Sequence, residues 1–313
     1  MEESQLSQFS ETPTIYSSIK TILNSSIVNL LLIFVPLGIV SKFAIWSDTA
    51  IFLLNSLAII PLTWLLYYGN LLSVFQEVSL SSASPVEWWL CNVFGNFGNL
   101  VEFITYTLML NDGLVTVVQA SIFGSILSDL LPVYGYSSFL GGMKYKEMEF
   151  NLVAAQIYSS FLMLMVSVII IPTVYTSTIV DSDQQTELDI SRKMSIILLF
   201  MYISYIFFKS RTHRDFYDES YLDIYDESEV ELKSKPETTL YVTIPMLILL
   251  TTIVTICADY LSESIVGLTE SWNISAKFVG LILIPNVGNA SDYLNSITSA
   301  LVNSMPIGNF YIY

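Results

Sequence analysis

Long apolar runs separated by short polar segments dominate this chain. A membrane-spanning helix needs about 20 mostly apolar residues. Eight segments of the 313-residue sequence approach that length, at about 26–45, 49–69, 87–110, 114–135, 150–175, 192–209, 238–266 and 275–302. The third, fourth, seventh and eighth runs also contain Gly, Asn, Gln, Asp or Glu. The pattern predicts an all-α polytopic membrane protein with about eight transmembrane helices.

The polar segments divide the predicted spans into groups. We predict a cytosolic tail at 1–25, six spans within 26–209, an acidic cytosolic loop at 210–237, two further spans within 238–304, and a C-terminal tail at 305–313. Lys and Arg residues set the orientation, because cytosolic loops carry the excess of them. Eight lie on the side of the N-terminal tail and four on the other side. The bias favours a cytosolic N-terminus.

Composition agrees with a membrane protein. The chain is 53% hydrophobic and only 13% charged, whereas soluble domains average about a quarter charged residues. The net charge of −16 disfavours nucleic acid as a partner and favours cations. Cys91 and Cys257 lie inside apolar runs, so we predict neither a disulfide framework nor a thiolate metal site. No nucleophile–base pair or HExxH metal motif indicates an enzyme.

The acidic loop contains two pairs of neighbouring acids about seven residues apart. The pairs are Asp218 with Glu219 and Asp226 with Glu227. At this spacing both pairs can share one helical face, which would make a cation-collecting or regulatory helix. The alternative is a solvated acidic linker, the more usual role of a charge run.

One short motif occurs in two of the predicted spans. Span three has Gly98-Asn99 followed by Glu102, and span eight has Gly288-Asn289 followed by Asp292. By span count the two copies run in opposite directions across the membrane. Inverted repeats of this kind are typical of secondary transporters, whose substrate site lies at the midplane where the repeats meet. We therefore expect the two motifs to face each other.

The residue types in the motif suit a hard cation. An Asn and an acid three positions apart lie on one helical face, and carboxylate and amide oxygens are the ligands that Ca²⁺ prefers. A carboxylate inside the bilayer costs at least about 2.5–3.5 kcal/mol, which indicates a functional role. Neighbouring carboxylates also favour proton binding when the metal leaves. The alternative is an interhelical hydrogen-bond role for Asn, which the repetition of the motif makes less attractive.

Span four adds secondary candidates for the same site. Gln119, Ser121, Ser125 and Ser128 form a polar stripe at helical spacing. Asp129 is either a third intramembrane acid or a residue at the rim of the span, and the sequence leaves both readings open.

The two motifs give the chain its resemblance to a known family. "GNLVEFI" at 98–104 and "GNASDY" at 288–293 resemble the repeat motifs of the calcium/cation–proton exchanger (CAX) family, fungal vacuolar type, and the flanking spans resemble it from about residue 20 to 304. The resemblance implies a vacuolar membrane protein that moves Ca²⁺ out of the cytosol against protons. It implies that Glu102 and Asp292 bind Ca²⁺ and protons alternately, with Asn99 and Asn289 lining the site. Ca²⁺ would be the transported ion, and no cofactor is implied.

Three departures from that family stand out. Tyr293 replaces its histidine, Asp129 replaces an asparagine, and the family has three more spans after the second motif. We therefore expect an inverted-repeat exchanger fold that lacks its last three helices, with a second chain as one way to complete it. The alternative function is that of a truncated, transport-inactive paralogue that acts as a membrane scaffold or modulates a full-length exchanger.

Overall fold

Helices account for all the regular structure that is described. The computed structural model describes residues 15–78, 98–147, 152–179, 184–208, 212–213 and 240–301. Within them, five helices are long and apolar enough to cross a membrane: Asp48–Gly69, Val115–Lys144, Ala155–Thr178, Gln185–Phe207 and Ile244–Trp272. Two shorter apolar helices cover Ile27–Phe43 and Ala276–Gly288. The prediction of an all-α polytopic membrane protein is confirmed. The total of eight spans stays a prediction, because the third begins outside these ranges.

The helices follow one another with short connections. In chain order they are α1 (Ile15–Leu23), a 3₁₀ segment (Ile27–Ile33), α2 (Phe34–Phe43), α3 (Asp48–Val78), α4 (Gly98–Asn111), α5 (Val115–Ser128), a π segment (Asp129–Val133), α6 (Tyr134–Lys144), α7 (Leu152–Thr178), α8 (Gln184–Phe207), α9 (Leu240–Trp272), α10 (Ala276–Phe278), a second π segment (Val279–Leu283), α11 (Ile284–Gly288) and α12 (Ala290–Leu301).

Several helices extend beyond the apolar runs that predicted them. The fourth span continues past residue 135 to Lys144, α8 begins at Gln184 rather than near 192, and α9 continues past 266 to Trp272. The added turns of α8 and α9 contain Gln or Glu, which favour helices. Apolar length marks the part of a helix that lies in the bilayer, and it does not mark where the helix ends.

The packed centre of the protein is the contact between α3 and α9, the most extensive helix pair described. Leu62 and Leu66 of α3 and Leu261 and Ile265 of α9 are almost completely buried. In lipid such an interface depends on van der Waals packing rather than on the hydrophobic effect. The α4 helix also packs against α9, which places the first motif beside this core.

The α7–α8 pair lies at the periphery. The two helices pack against each other, and almost none of their most apolar segments is buried within the protein. The exposed side chains include Leu164, Ile170, Ile197 and Phe200. Side chains of this kind are suited to face lipid tails.

A close contact between α5 and the start of the second repeat brings the second motif into place. A Cβ atom added to Gly124 would collide with the Leu281 carbonyl group and with the Pro285 ring. One added to Gly280 would lie 2.5 Å from the Val117 carbonyl oxygen. The glycines on both sides let the two backbones approach, as is typical of helix pairs in membranes.

The predicted span at 275–302 is not one continuous helix. It contains the π segment Val279–Leu283, and it is interrupted between α11 and α12 at Asn289, where φ is −87° and ψ is 16°. Pro285 has no N–H to donate, which weakens the helix just before this point. Broken helices are typical of transporter sites because they free backbone groups at the membrane midplane.

Candidate cation site

The candidate site lies where α4, α5 and the break between α11 and α12 meet. Glu102 lies one turn into α4, and Asn289 occupies the break itself. A Cβ atom placed on Gly288 would lie 3.5 Å from Cγ of Glu102. The structure therefore places the two copies of the motif side by side.

Glu102 is held by two hydroxyl groups. Ser125 Oγ, on α5, donates to Glu102 Oε1 at 2.5 Å. Tyr106 Oη, one turn further along α4, is 3.3 Å from the same oxygen. The Ser125 contact has the short length typical of a hydrogen bond to a charged acceptor, whereas the Tyr106 contact is longer and weaker. Both hydroxyl groups can help to fix the orientation of this carboxylate.

Asn289 connects two acids through its side-chain amide. The residue is only 2% exposed. Its Nδ2 group donates to Asp129 Oδ1 at 3.1 Å and to Ser125 Oγ at 3.2 Å. Ser125 in turn donates a hydrogen bond to Glu102. A continuous hydrogen-bond network therefore runs from Asp129 through Asn289 and Ser125 to Glu102. Asn289 Oδ1 lies 3.3 Å from Ser125 Oγ, and a carbonyl oxygen has two lone pairs, so this atom can also face a cation.

Asp292 belongs to the same cluster of charges. Its backbone N–H donates to the Asn289 carbonyl at 3.0 Å, which places it in the first turn of α12. Its carboxylate interacts electrostatically with those of Asp129 and Glu102. Three carboxylates from the two repeats thus share one region of the protein.

Tyr293 makes the next contact between α5 and α12. Its hydroxyl group hydrogen-bonds to Ser128 and donates to Asn286 Oδ1 at 2.9 Å. Its ring meets Tyr136 edge to face, with the ring centroids 5.8 Å apart. The tyrosine therefore joins the end of α5 to both α11 and α12 beside the acidic cluster.

The acids alone do not enclose a metal ion. Across the described ranges, no three His, Cys, Asp or Glu residues stand close enough to hold one. A hard cation at this position would therefore depend on neutral oxygens as well. Ser125, Asn289 and the backbone carbonyl groups freed at the break can supply them.

Comparison with known proteins identifies the family. Residues 91–211 and 242–310 match the model of the sodium/calcium exchanger protein family, and these ranges contain both motifs. The chain belongs to the sodium/calcium exchanger family. The resemblance recognised from the motifs is confirmed.

Two curated relatives illustrate the similarity. The vacuolar calcium ion transporter of Schizosaccharomyces pombe is 35% identical over 292 residues, which are 92% of this chain and 67% of that protein. The Ca²⁺/H⁺ antiporter of Aphanothece halophytica is 32% identical over 283 residues, covering 88% of this chain and 74% of that protein.

The exchanger fold is confirmed by a solved structure. The structure of native YfkE, a Ca²⁺/H⁺ antiporter, matches with a TM-score of 0.68 and 27% sequence identity. The match covers 89% of this chain and 74% of YfkE. The arrangement of helices around the two motifs is therefore that of an exchanger.

The structure gathers most of the residues that the sequence singled out. Glu102, Asn289, Ser125 and Asp129 are joined by hydrogen bonds, and Asp292 interacts with two of them electrostatically. Of the two readings of Asp129, the structure favours the intramembrane acid over the rim residue.

Other candidates lie elsewhere. Gln119 is exposed, whereas Ser121, Ser125 and Ser128 of the same helix are buried, so the predicted polar stripe excludes it. Gln119 is six positions before Ser125, so the two side chains are about 240° apart around the helix.

Asn99 is exposed as well, and its role as a site-lining amide stays a prediction. The acidic loop with Asp218, Glu219, Asp226 and Glu227 lies outside the described residues.

Tyr106 is the site residue that the sequence did not indicate. It follows Glu102 by four positions, so the two side chains lie on one helical face. This four-residue spacing was the one feature of the sequence that could have pointed to Tyr106. Tyrosines are too frequent in this chain, with 19 in all, for the spacing alone to be distinctive.

Proposed function

We propose that this protein is a Ca²⁺/H⁺ antiporter of the vacuolar membrane, which carries Ca²⁺ out of the cytosol in exchange for protons. The observation that carries the proposal is the network in which Asn289 of the second repeat joins Asp129 and, through Ser125, Glu102 of the first. A cation bound there would touch both repeats, as alternating access requires. Membership of the exchanger family and the names of its relatives support the same function.

The proposed exchange uses the carboxylates as shared ligands. Deprotonated Glu102 and Asp292 attract a divalent cation together with the oxygen of Asn289. When protons arrive from the acidic side, the carboxylates are neutralised and the cation loses its strongest ligands. Like charges in one site favour proton binding once the metal has left. Coupling then follows because the same oxygens hold either Ca²⁺ or H⁺, and no chemical bond of a substrate is made or broken.

The scaffold interpretation is the weaker alternative. An inactive paralogue has no need to keep a buried asparagine bridging an acid and a serine of the other repeat, and the named relatives are transporters. A second chain that completes the helices remains a prediction. Co-reconstitution with a complete exchanger would distinguish a scaffold from a transporter. A scaffold would give no uptake alone and would alter uptake by the complete exchanger.

Transport by the purified chain tests the proposal. The protein would be reconstituted into liposomes with an acidic interior, and uptake of radioactive Ca²⁺ would be followed after dilution into neutral buffer. We expect uptake that stops when a protonophore collapses the pH gradient, with protein-free liposomes as the control. A sodium gradient of the same size replaces the proton gradient in a parallel experiment. Uptake driven by sodium alone, or no uptake, would contradict the proposal.

A further inference from the structure

We propose that Tyr106 is the positioning residue of Glu102, and that its hydroxyl group sets how tightly the site holds Ca²⁺. This inference rests on the proposed function. Tyr106 lies one helical turn from Glu102 on α4, and its Oη is 3.3 Å from Glu102 Oε1. The same Oη is 3.4 Å from the Ser121 carbonyl oxygen of α5. The single hydroxyl proton is shared between these two acceptors, so the hydroxyl group links the two helices that carry Glu102 and Ser125.

Both hydroxyl contacts of Glu102 go to one carboxylate oxygen. Ser125 Oγ and Tyr106 Oη meet Oε1, and among the described residues Oε2 accepts no hydrogen bond. This division leaves Oε2 available as a cation ligand. It also fixes the rotation of the carboxylate group, because two donors on different helices hold the same atom.

The surroundings explain why Glu102 needs a second donor. Glu102 also borders a small cavity, lined largely by apolar side chains that include Ile59, Leu261, Ile284 and Val287. Thr105 also lines it, but its hydroxyl group donates to the Val101 carbonyl at 2.8 Å. Of the two hydroxyl groups in the cavity wall, the one that hydrogen-bonds to Glu102 is therefore that of Tyr106. Without its hydroxyl group the carboxylate can turn into this space, away from Asn289.

The test replaces Tyr106 by phenylalanine, which keeps the ring and removes only the hydroxyl group. Ca²⁺ binding to the purified protein and proton-driven Ca²⁺ uptake would be measured over a range of Ca²⁺ concentrations. Hydrogen bonds to charged groups are among the stronger ones in proteins, but this one is long, so we expect a Ca²⁺ dissociation constant about three- to tenfold higher. The half-saturating concentration for uptake should rise to the same extent, while the maximal rate stays within about twofold.

Tyr202→Phe is the matched control, because Tyr202 lies on α8 away from the site. It should leave the dissociation constant unchanged, and both variants should melt at the wild-type temperature. Equal Ca²⁺ affinity of the wild type and Tyr106→Phe would overturn this inference and leave the proposed function standing. A lower maximal rate with unchanged affinity would do the same. Failure of the wild-type chain to bind Ca²⁺ would overturn the proposed function and this inference with it.

Discussion

Asn289 donates a hydrogen bond from its side-chain amide to the carboxylate of Asp129 at 3.1 Å. The two residues are 160 positions apart in the sequence and belong to different repeats. The contact brings a third acid into a region that already contains Glu102 and Asp292. The resemblance described above implies an asparagine at this position in the family, so Asp129 would add a negative charge to the proposed cation site.

Replacement of Asp129 by asparagine tests the contribution of this charge. Asparagine can still accept the hydrogen bond from Asn289, so the geometry should be kept while one negative charge is lost. We expect the half-saturating Ca²⁺ concentration for uptake to rise about tenfold, which corresponds to about 1.4 kcal/mol. The measurement is the concentration dependence of proton-driven Ca²⁺ uptake.

Asp189→Asn provides the control for Asp129→Asn. Asp189 lies on α8, and its side chain is half exposed and near Arg192. The control should not change the half-saturating concentration. An unchanged value for Asp129→Asn would mean that the third acid does not act on the cation.

Gly124 should tolerate no side chain. A methyl group there would meet the Leu281 carbonyl group and the Pro285 ring, and overpacking of this kind costs about 1–3 kcal/mol. We expect Gly124→Ala to lower the melting temperature in detergent and to reduce Ca²⁺ uptake, since α5 and α11 would be pushed apart at the site.

Gly142→Ala is the matched control on α6. A Cβ atom added to Gly142 would have no neighbour within 4 Å, and alanine favours a helix. The control should melt at the wild-type temperature or slightly above it. Equal melting temperatures for the two variants would show that the close approach at Gly124 is not important for stability.

The predicted orientation places Asn273 and Lys146 on opposite sides of the membrane. Asn273 follows α9, and Lys146 follows α6. In a chain whose two native cysteines have been replaced, single cysteines at these positions would be labelled with a reagent that cannot cross the membrane. In sealed vacuoles with the cytosolic face outside, we expect labelling at Lys146→Cys alone. Labelling at Asn273→Cys alone would reverse the assigned topology, and labelling at both would reject the span count between them.

The sequence was sufficient to predict the class of the fold, and it indicated several residues that the structure places together in the candidate site. Apolar length predicted the spans, and the repeated motif predicted that Glu102 and Asp292 share one site. The fold prediction is confirmed, because a bilayer requires long apolar helices. The shared site stays a prediction, which rests on the cost of burying a carboxylate in the bilayer.

The remaining features depend on contacts between helices. Helical spacing assigned Gln119 to the polar stripe, but the exact angle around α5 leaves it exposed. The bridge between Asn289 and Asp129 depends on how closely α5 approaches α11, and that distance is set by Gly124 and Gly280 together. Periodicity along one helix does not contain this information. The same is true of Tyr106, whose role follows from Ser121 and Ser125 on the neighbouring helix.

The most direct test of a shared cation site is proton-driven Ca²⁺ uptake by Glu102→Gln and Asp292→Asn in liposomes. Each change removes one negative charge and keeps the size of the side chain. The controls are Glu270→Gln, at the exposed end of α9, and Asp189→Asn. We predict that Glu102→Gln and Asp292→Asn each abolish uptake while both controls transport like the wild type. Normal uptake by either site variant would contradict a site in which both repeats hold the same ion.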